Sequence, residues 1–315
     1  MGRWNRVLTG MVLLAMGTCA PEGLRAQRND AAKTSATTTK VVMLGAGTPQ
    51  ARPETSGPAV AIVAGGAVYL VDAGPGVVRR AAAAAEKGIA ELRVQNLKTV
   101  FITHLHSDHT LGLPDVIFSP WVLGRTEPVE LYGPRGLRDM AEHIEKAWEK
   151  DVDVRTNGLE QGNRTGYQVH VHEIEPGVIY QDKNVKVTAF LVKHGSWDQS
   201  FGYRFDTADR SIVLSGDTGP TDAVAKACHG CDVMLNEVYS ETALLALHSA
   251  KEEKYFHAFH VSPREVGEEG TEAKPGLLVL YHEVYWGNVT REEILEEVKK
   301  WYAGKVVTGE DLGVY

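Results

Sequence analysis

Cysteine is scarce in this chain: three residues in 315, at positions 19, 228 and 231. That excludes a small scaffold framed by disulfides. With no second pair beside Cys228-His229-Gly230-Cys231, it also excludes an all-cysteine zinc site. The pair suits a disulfide in an oxidising compartment, and equally two unlinked residues, one at a helix end and one leading into a strand. Basic charge is short as well, with 33 Lys and Arg against 41 Asp and Glu, a formal charge of −8. Affinity for polyanions comes mainly from neutralising phosphates, so an acidic chain is a poor general nucleic-acid binder. The apolar stretch at residues 7–16 is too short for a comfortable membrane span.

What the N-terminus does have is the pattern of an export signal. Arg3 and Arg6 form a positive start, the apolar stretch follows, and Thr18-Cys19-Ala20 supplies small residues for cleavage. Cleavage after Ala20 or near Ala26 leaves the same charge, because losing Arg3 and Arg6 takes −8 to −10 and Glu22 cancels Arg25. The expected organisation is a signal peptide at 1–26, a polar linker at 27–39 and one folded domain at 40–315. The mature protein is then exported, periplasmic or secreted, with no membrane span left after cleavage. A composition of 43% hydrophobic and 23% charged residues suits one large α/β domain with a full core.

The chain is organised around Thr103-His104-Leu105-His106-Ser107-Asp108-His109, with Gly112 and Pro114 close behind. Three imidazoles and a carboxylate within six residues are not explained by packing, since each buried polar group without a partner costs a few kcal/mol. They suit a metal. The aliphatic and aromatic run at 97–102 (LKTVFI) reads as a buried strand, which places the four candidates on the loop leaving a strand end. His104 and His106 alternate to one side and can grip one ion; Asp108 and His109 lie a step further on and can reach a second. Elsewhere, 40–44, 59–63, 67–71, 129–132, 168–174, 185–192, 232–238 and 277–281 read as strands, and 200–205 pairs with 211–214 across a turn at Ala208-Asp209. Residues 240–258 read as one long helix, and 290–301 as an amphipathic helix capped by Thr290. His170 and His172 share one face of a half-exposed strand, and a solvated face is the reading preferred over a second metal pair. His143, His229, His248 and His257 are read as surface residues.

The H-x-H-x-D-H motif, together with Asp72-Ala73-Gly74-Pro75-Gly76, resembles the signature of the metallo-β-lactamase-fold hydrolases. The strand followed by Gly133-Pro134-Arg135-Gly136 resembles the ribonuclease Z branch. The resemblance implies a four-layer αβ/βα sandwich of two mixed β-sheets flanked by helices. It implies His194, Asp217 and His282 as the remaining ligands. One metal is then held by His104, His106, His194 and Asp217, the other by Asp108, His109, Asp217 and His282, with Asp72 orienting the loop rather than ligating. Mixed His/Asp donors favour two zinc ions, with manganese or iron left open by ligand type alone. A metal-bridging hydroxide would attack a phosphoester.

Glu237 and His260 resemble two further ribonuclease Z motifs, implying a proton-donating pair for the leaving oxygen; with Asp108 they are the candidate catalytic residues. Here Asn236 stands where the family has a histidine, and Val261-Ser262 replaces Ser-Thr. The alternative is a β-lactamase or a lactone or carboxylic ester hydrolase on the same centre, although the true β-lactamases generally place cysteine or serine where this chain has Asp217. Asp217 follows His194 by only 23 positions, and the resemblance implies that this is the interval in which ribonuclease Z carries its arm for gripping transfer RNA. With the export signal and the acidic charge, this argues against transfer RNA and for a small-molecule or short phosphoester substrate. A homodimer remains open.

Overall fold

Residues 59–64 read Ala-Val-Ala-Ile-Val-Ala, and every one is buried. A strand apolar on both faces needs cover on both. Ala59, Ala61 and Val63 meet a layer of helices, whereas Val60, Ile62 and Ala64 meet a second sheet. The structure, a computed structural model, describes residues 38–247 and 249–315. The expected signal peptide, the expected linker up to residue 37, and His248 lie outside them. Thr39 already belongs to the domain, its hydroxyl donating to Asp209 Oδ1 (2.5 Å).

The first sheet runs, in chain order, through β1 (Lys40–Gly45), β2 (Ala59–Ala64), β3 (Ala67–Val71), β4 (Thr99–Phe101), β5 (Val129–Gly133) and β6 (Val169–Glu173). Its first two pairings are antiparallel and the rest parallel. The second contains β7 (Gly177–Gln181), β8 (Val185–Leu191), β9 (Phe201–Thr207), β10 (Ser211–Leu214), β11 (Val233–Tyr239), β12 (Leu277–Val284) and β13 (Val306–Thr308). It too switches from antiparallel to parallel, at β10. Phe101, Tyr203, Phe205 and Leu214 are among the side chains packed between the sheets. Helices Val77–Glu86, Leu113–Val122 and Leu137–Ala147 cover the outer face of the first sheet. Helices Ala223–Cys228, Pro263–Ala273 and Arg291–Lys299 cover that of the second. This is the expected four-layer αβ/βα sandwich.

Departures from the sequence reading are local. Strand β7 was not anticipated: Gly-Val-Ile-Tyr-Gln sits at a sheet edge and is half exposed, so its pattern is weak. The long helix expected at 240–258 is two, Glu241–Leu247 and Ala250–Phe259. Ser249 begins the second, its N–H donating to Glu252 Oε2 (2.8 Å) in a capping box. His170 and His172 stand exposed on β6, each 2.8 Å from Glu130, as a solvated face would have them. His143, His229 and His257 are exposed. Cys228 and Cys231 form a disulfide joining a helix end to the start of β11. Among the described residues no helix is long and apolar enough to cross a membrane.

Arg125 fixes the helix that follows the metal-motif loop. Its side chain is 1% exposed, and its five donors are spent on four backbone carbonyls. Nη1 donates to Leu97 (2.6 Å) and Val116 (2.8 Å), Nη2 to Ile117 (2.6 Å) and Gly166 (2.7 Å), and Nε to Gly166 (3.2 Å). One planar fork therefore ties the approach to β4 to helix Leu113–Val122. Arg125→Leu strands all four carbonyls, and an ammonium at Arg125→Lys cannot span them. Both variants are expected to lose about 3 kcal/mol of stability, read as a lowered urea midpoint at unchanged m value.

Candidate metal centre

The site lies where strand ends of both sheets meet. Asp72 follows β3, the histidine loop follows β4, His194 follows β8, Asp217 follows β10, and Glu237 and His282 sit within β11 and β12. The C-terminal ends of parallel strands are the usual place for ligands in open α/β sheets. His282 does not close its strand as the sequence suggested. Strand β12 continues to Val284, and His282 takes a left-handed backbone (φ 47°) where the β11–β12 register slips between Asn236 and Val238. That irregularity re-aims the side chain toward Asp108.

Asp72 ties down the histidine loop. Its Oδ1 accepts the Thr103 N–H (2.8 Å), and its Oδ2 lies 2.8 Å from His109 Nδ1. Two glycines let the chains close up around it. A Cβ on Gly112 would stand 2.5 Å from the Gly74 carbonyl oxygen, and Gly216 (φ 63°) would press on Phe201 and Thr103. The Gly112 N–H instead donates to the Ala73 carbonyl (2.7 Å).

Seven side chains expected as ligands converge. His106 Nδ1 lies 2.9 Å from His104 Nε2 and 3.1 Å from His194 Nε2, and Asp217 Oδ2 is 3.8 and 4.0 Å from the latter two nitrogens. In the second group, Asp108 Oδ2 is 3.2 Å from His282 Nε2 and 3.5 Å from His109 Nε2, which lie 3.5 and 3.4 Å from Asp217 Oδ2. Four donors around tetrahedral zinc stand roughly 3.3 Å apart, so both groups fit a metal. Three buried atoms of the set, His109 Nε2, Asp217 Oδ1 and His282 Nδ1, have no hydrogen-bond partner, and the first two belong to groups whose other polar atoms or near neighbours are fellow candidate ligands, as suits atoms meant for a metal. Among the described residues these are where His and carboxylate groups cluster closely enough to hold an ion, with Asp217, His260 and His282 as a third, overlapping set.

Electrostatics suit the same role. Burial drives His104 well below the usual imidazole range and His194 down to about 4, so both offer lone pairs at neutral pH. Burial also opposes charge on His109, but the carboxylates of Asp217 and Asp72 outweigh it and raise that imidazole. Asp217 is held well below the carboxylate range: burial opposes this, and His282 and His109 prevail.

Other groups hold the outward-facing ring nitrogens. His104 Nδ1 is 3.0 Å from Thr103 Oγ1, and His194 Nδ1 is 2.7 Å from the Phe259 carbonyl. The Trp197 indole nitrogen stands 2.9 Å from His106 Nε2. Sequence reasoning missed Trp197; its place three residues after His194 was the available signal.

His260 is 7% exposed, and its Nδ1 is 3.2 Å from Glu237 Oε1, which also accepts the Thr218 N–H (3.1 Å). Burial opposes charge on His260, and the Glu237 carboxylate overcomes it and raises the imidazole. Burial raises Glu237. A cavity of about 330 Å³ opens over the centre, lined by Asp108, Asp217, His260 and His282 together with Tyr255, Phe256 and Trp286. Phe256 packs on Tyr255, Trp286 and the His260 ring, so these aromatics line the site as well as packing on one another. Such a site can polarise an ester and protonate its leaving group in an environment that restricts water.

Residues 68–282 match the β-lactamase superfamily domain. Ribonuclease Z of Mycobacterium bovis (strain BCG / Pasteur 1173P2) is 29% identical over 277 residues, covering 87% of this chain and 96% of that protein. Ribonuclease Z of Mycobacterium sp. (strain KMS) is 31% identical over 245 residues, covering 77% and 83%. Among solved structures, a metallo-β-lactamase fold protein from Bacillus subtilis superposes with a TM-score of 0.67 at 17% identity, over 88% of this chain and 99% of its own. The short form of human tRNase Z gives 0.62 at 23% identity, over 88% and 98%.

These likenesses overturn the expectation that transfer RNA is not a partner. That expectation rested on the short interval between His194 and Asp217, the expected export signal and the acidic charge, yet the alignment runs through 96% of a protein named ribonuclease Z. A short interval between two ligands does not by itself exclude RNA as a partner. With this motif set, fold and sequence likeness in agreement, the chain belongs to the metallo-β-lactamase superfamily, on its ribonuclease Z-like branch, and is a metal-dependent hydrolase.

Proposed function

We propose that this chain is an exported phosphodiesterase of ribonuclease Z type that works with two zinc ions. His104, His106, His194 and Asp217 would hold one; Asp108, His109, His282 and the same Asp217 would hold the other. The observation that carries the reading is the shared carboxylate, whose Oδ2 stands 3.4–4.0 Å from imidazole nitrogens of both groups. Nitrogen-rich donors with two carboxylates suit zinc better than a hard cation. When bound, the pair supplies Lewis acidity, lowering the pKa of water and neutralising charge on phosphoryl oxygens.

The chain's own residues do the rest. His260, on the cavity wall with Asp217 and His282, donates a proton to the departing ester oxygen, and Glu237 holds its ring in place. Asp72 keeps His109 aimed inward. The aromatic residues that line the cavity limit water around the ester. Phosphodiesters are the substrate class, RNA ends among them, as the name of the relatives suggests. Export is supported by the N-terminal pattern and by the Cys228–Cys231 disulfide, a bond that persists in oxidising compartments.

Zinc-loaded protein should turn over bis(p-nitrophenyl) phosphate, or cleave a transfer-RNA precursor transcript, in preference to a chromogenic cephalosporin. The reverse preference would transfer the assignment to lactam hydrolysis. Asp217→Ala should bind fewer than two metals per chain by elemental analysis and lose turnover. His260→Ala should keep its metal while kcat falls about 10²–10⁴-fold, the usual contribution of a general acid. Asp72→Ala should weaken metal retention about 10–100-fold in a titration against a competing chelator.

A further inference from the structure

Behind the Glu237–His260 pair lies a second buried carboxyl group with no part in the chemistry described so far. Glu269, on helix Pro263–Ala273, is buried, and its Oε2 accepts a hydrogen bond from Asn236 Nδ2 (3.3 Å). The same Nδ2 donates to the Glu237 carbonyl oxygen (3.2 Å). The remaining oxygens of that contact, Asn236 Oδ1 and Glu269 Oε1, are both buried with no hydrogen-bond partner. An ionised carboxylate only accepts, and the Asn236 oxygen only accepts, so an ionised Glu269 leaves one buried acceptor unsatisfied on each of the two touching side chains. Each such atom gives up its hydrogen bonds to water and gets nothing in return. One added proton changes the count: an O–H on Glu269 Oε1 donates to Asn236 Oδ1, and both oxygens are satisfied at once.

We propose that Glu269 is a neutral carboxylic acid paired head to head with Asn236, and that the pair is a positioning device for Glu237 and, through it, His260. The role in turnover rests on the reading of His260 as proton donor; the protonation state of Glu269 does not. The placement supports it. The register of β11 against β12 slips between Asn236 and Val238, so the ladder to β12 is irregular at Glu237, whose N–H is held from the other side by Ser215 Oγ (3.2 Å). Asn236 grips the Glu237 carbonyl at that point, and Glu269 fixes the orientation of the Asn236 amide. Burial, with the nearby carboxylates of Glu237 and Glu265 adding to it, pushes Glu269 up to about 8. A paired acid here also accounts for how the chain manages with Asn236 at a position where the resembled motif has a histidine.

The test uses the zinc-loaded full chain. Glu269→Gln replaces the O–H donor with an N–H donor of the same shape, and Glu269→Ala removes it. At neutral pH, infrared difference spectra of wild type against Glu269→Gln should show a protonated carboxyl C=O band lost in the variant. With bis(p-nitrophenyl) phosphate, Glu269→Ala should lower kcat about tenfold at unchanged KM and metal content, an effect of the size seen when groups supporting a site are removed. Glu269→Gln should restore most of that loss. Absence of the band, or a glutamine variant as impaired as the alanine one, would show Glu269 ionised and overturn the proposal; so would an alanine variant with unaltered kcat. His260→Ala in the same series separates the two readings: if it turned over normally, the proton-donor assignment would fall while the infrared result still decided the state of Glu269.

Discussion

The buried Asp217 carboxylate is the constraint to which the rest of the structure answers. Only 1% of the residue is exposed, and an ion removed from water costs several kcal/mol unless countercharge meets it. Its close neighbours are imidazoles from both ligand groups, and burial keeps two of these, His104 and His194, neutral near pH 7. Neutral rings cannot balance the carboxylate; His109, raised by Asp72 and Asp217 together, does so only in part. Divalent cations gripped by those same lone pairs would complete the balance. This is why the arrangement reads as a metal centre rather than a core of satisfied histidines.

The first half of the site was legible because it is local. His104, His106, Asp108 and His109 fall within six residues after an apolar strand, and period and spacing alone place them together. His194, Asp217 and His282 carry no such signal; each is a lone polar residue near a strand end, and only resemblance to a family singled them out. His282 shows the limit, since its aim depends on a positive φ and a slipped register that alternation of apolar residues does not encode. Arg125 and Glu269 were invisible for a related reason. Their significance lies in which carbonyls and amides surround them, and these come from segments up to 41 positions away. The break at Ser249 was lost because good helix formers flank it, leucine and alanine before it and alanine, lysine and glutamate after it.

The cavity adds a second constraint. Its lining combines charged and imidazole groups with aromatic rings. Phe256 meets Trp286 edge to face (ring centroids 4.6 Å apart) and Tyr255 likewise (5.1 Å), so the aromatic part is braced rather than loose. Low dielectric beside those rings strengthens the polar interactions next to them, including the Glu237–His260 contact. The helix carrying Tyr255 and Phe256 begins where the long helix expected from sequence is interrupted. A continuous helix would fix one direction for both segments, and the break lets the second be set by its own packing around the centre.

Neither sheet owns the site. The first supplies Asp72 and the histidine loop; the second supplies His194, Asp217, Glu237 and His282. The two are held face to face by a shared apolar core, and polar ties such as the Tyr203 hydroxyl donating to the Ile102 carbonyl (2.6 Å) reach across just below the ligands. Ligand positions therefore depend on how the sheets dock, and any ion bound by groups from both must favour the docked state. The coupling runs both ways: tightening the interface sharpens the ligand geometry, and filling the centre stabilises the interface. A metal here would act as part of the packing between the layers as well as part of the chemistry, because its ligands are the residues through which the two halves of the fold meet.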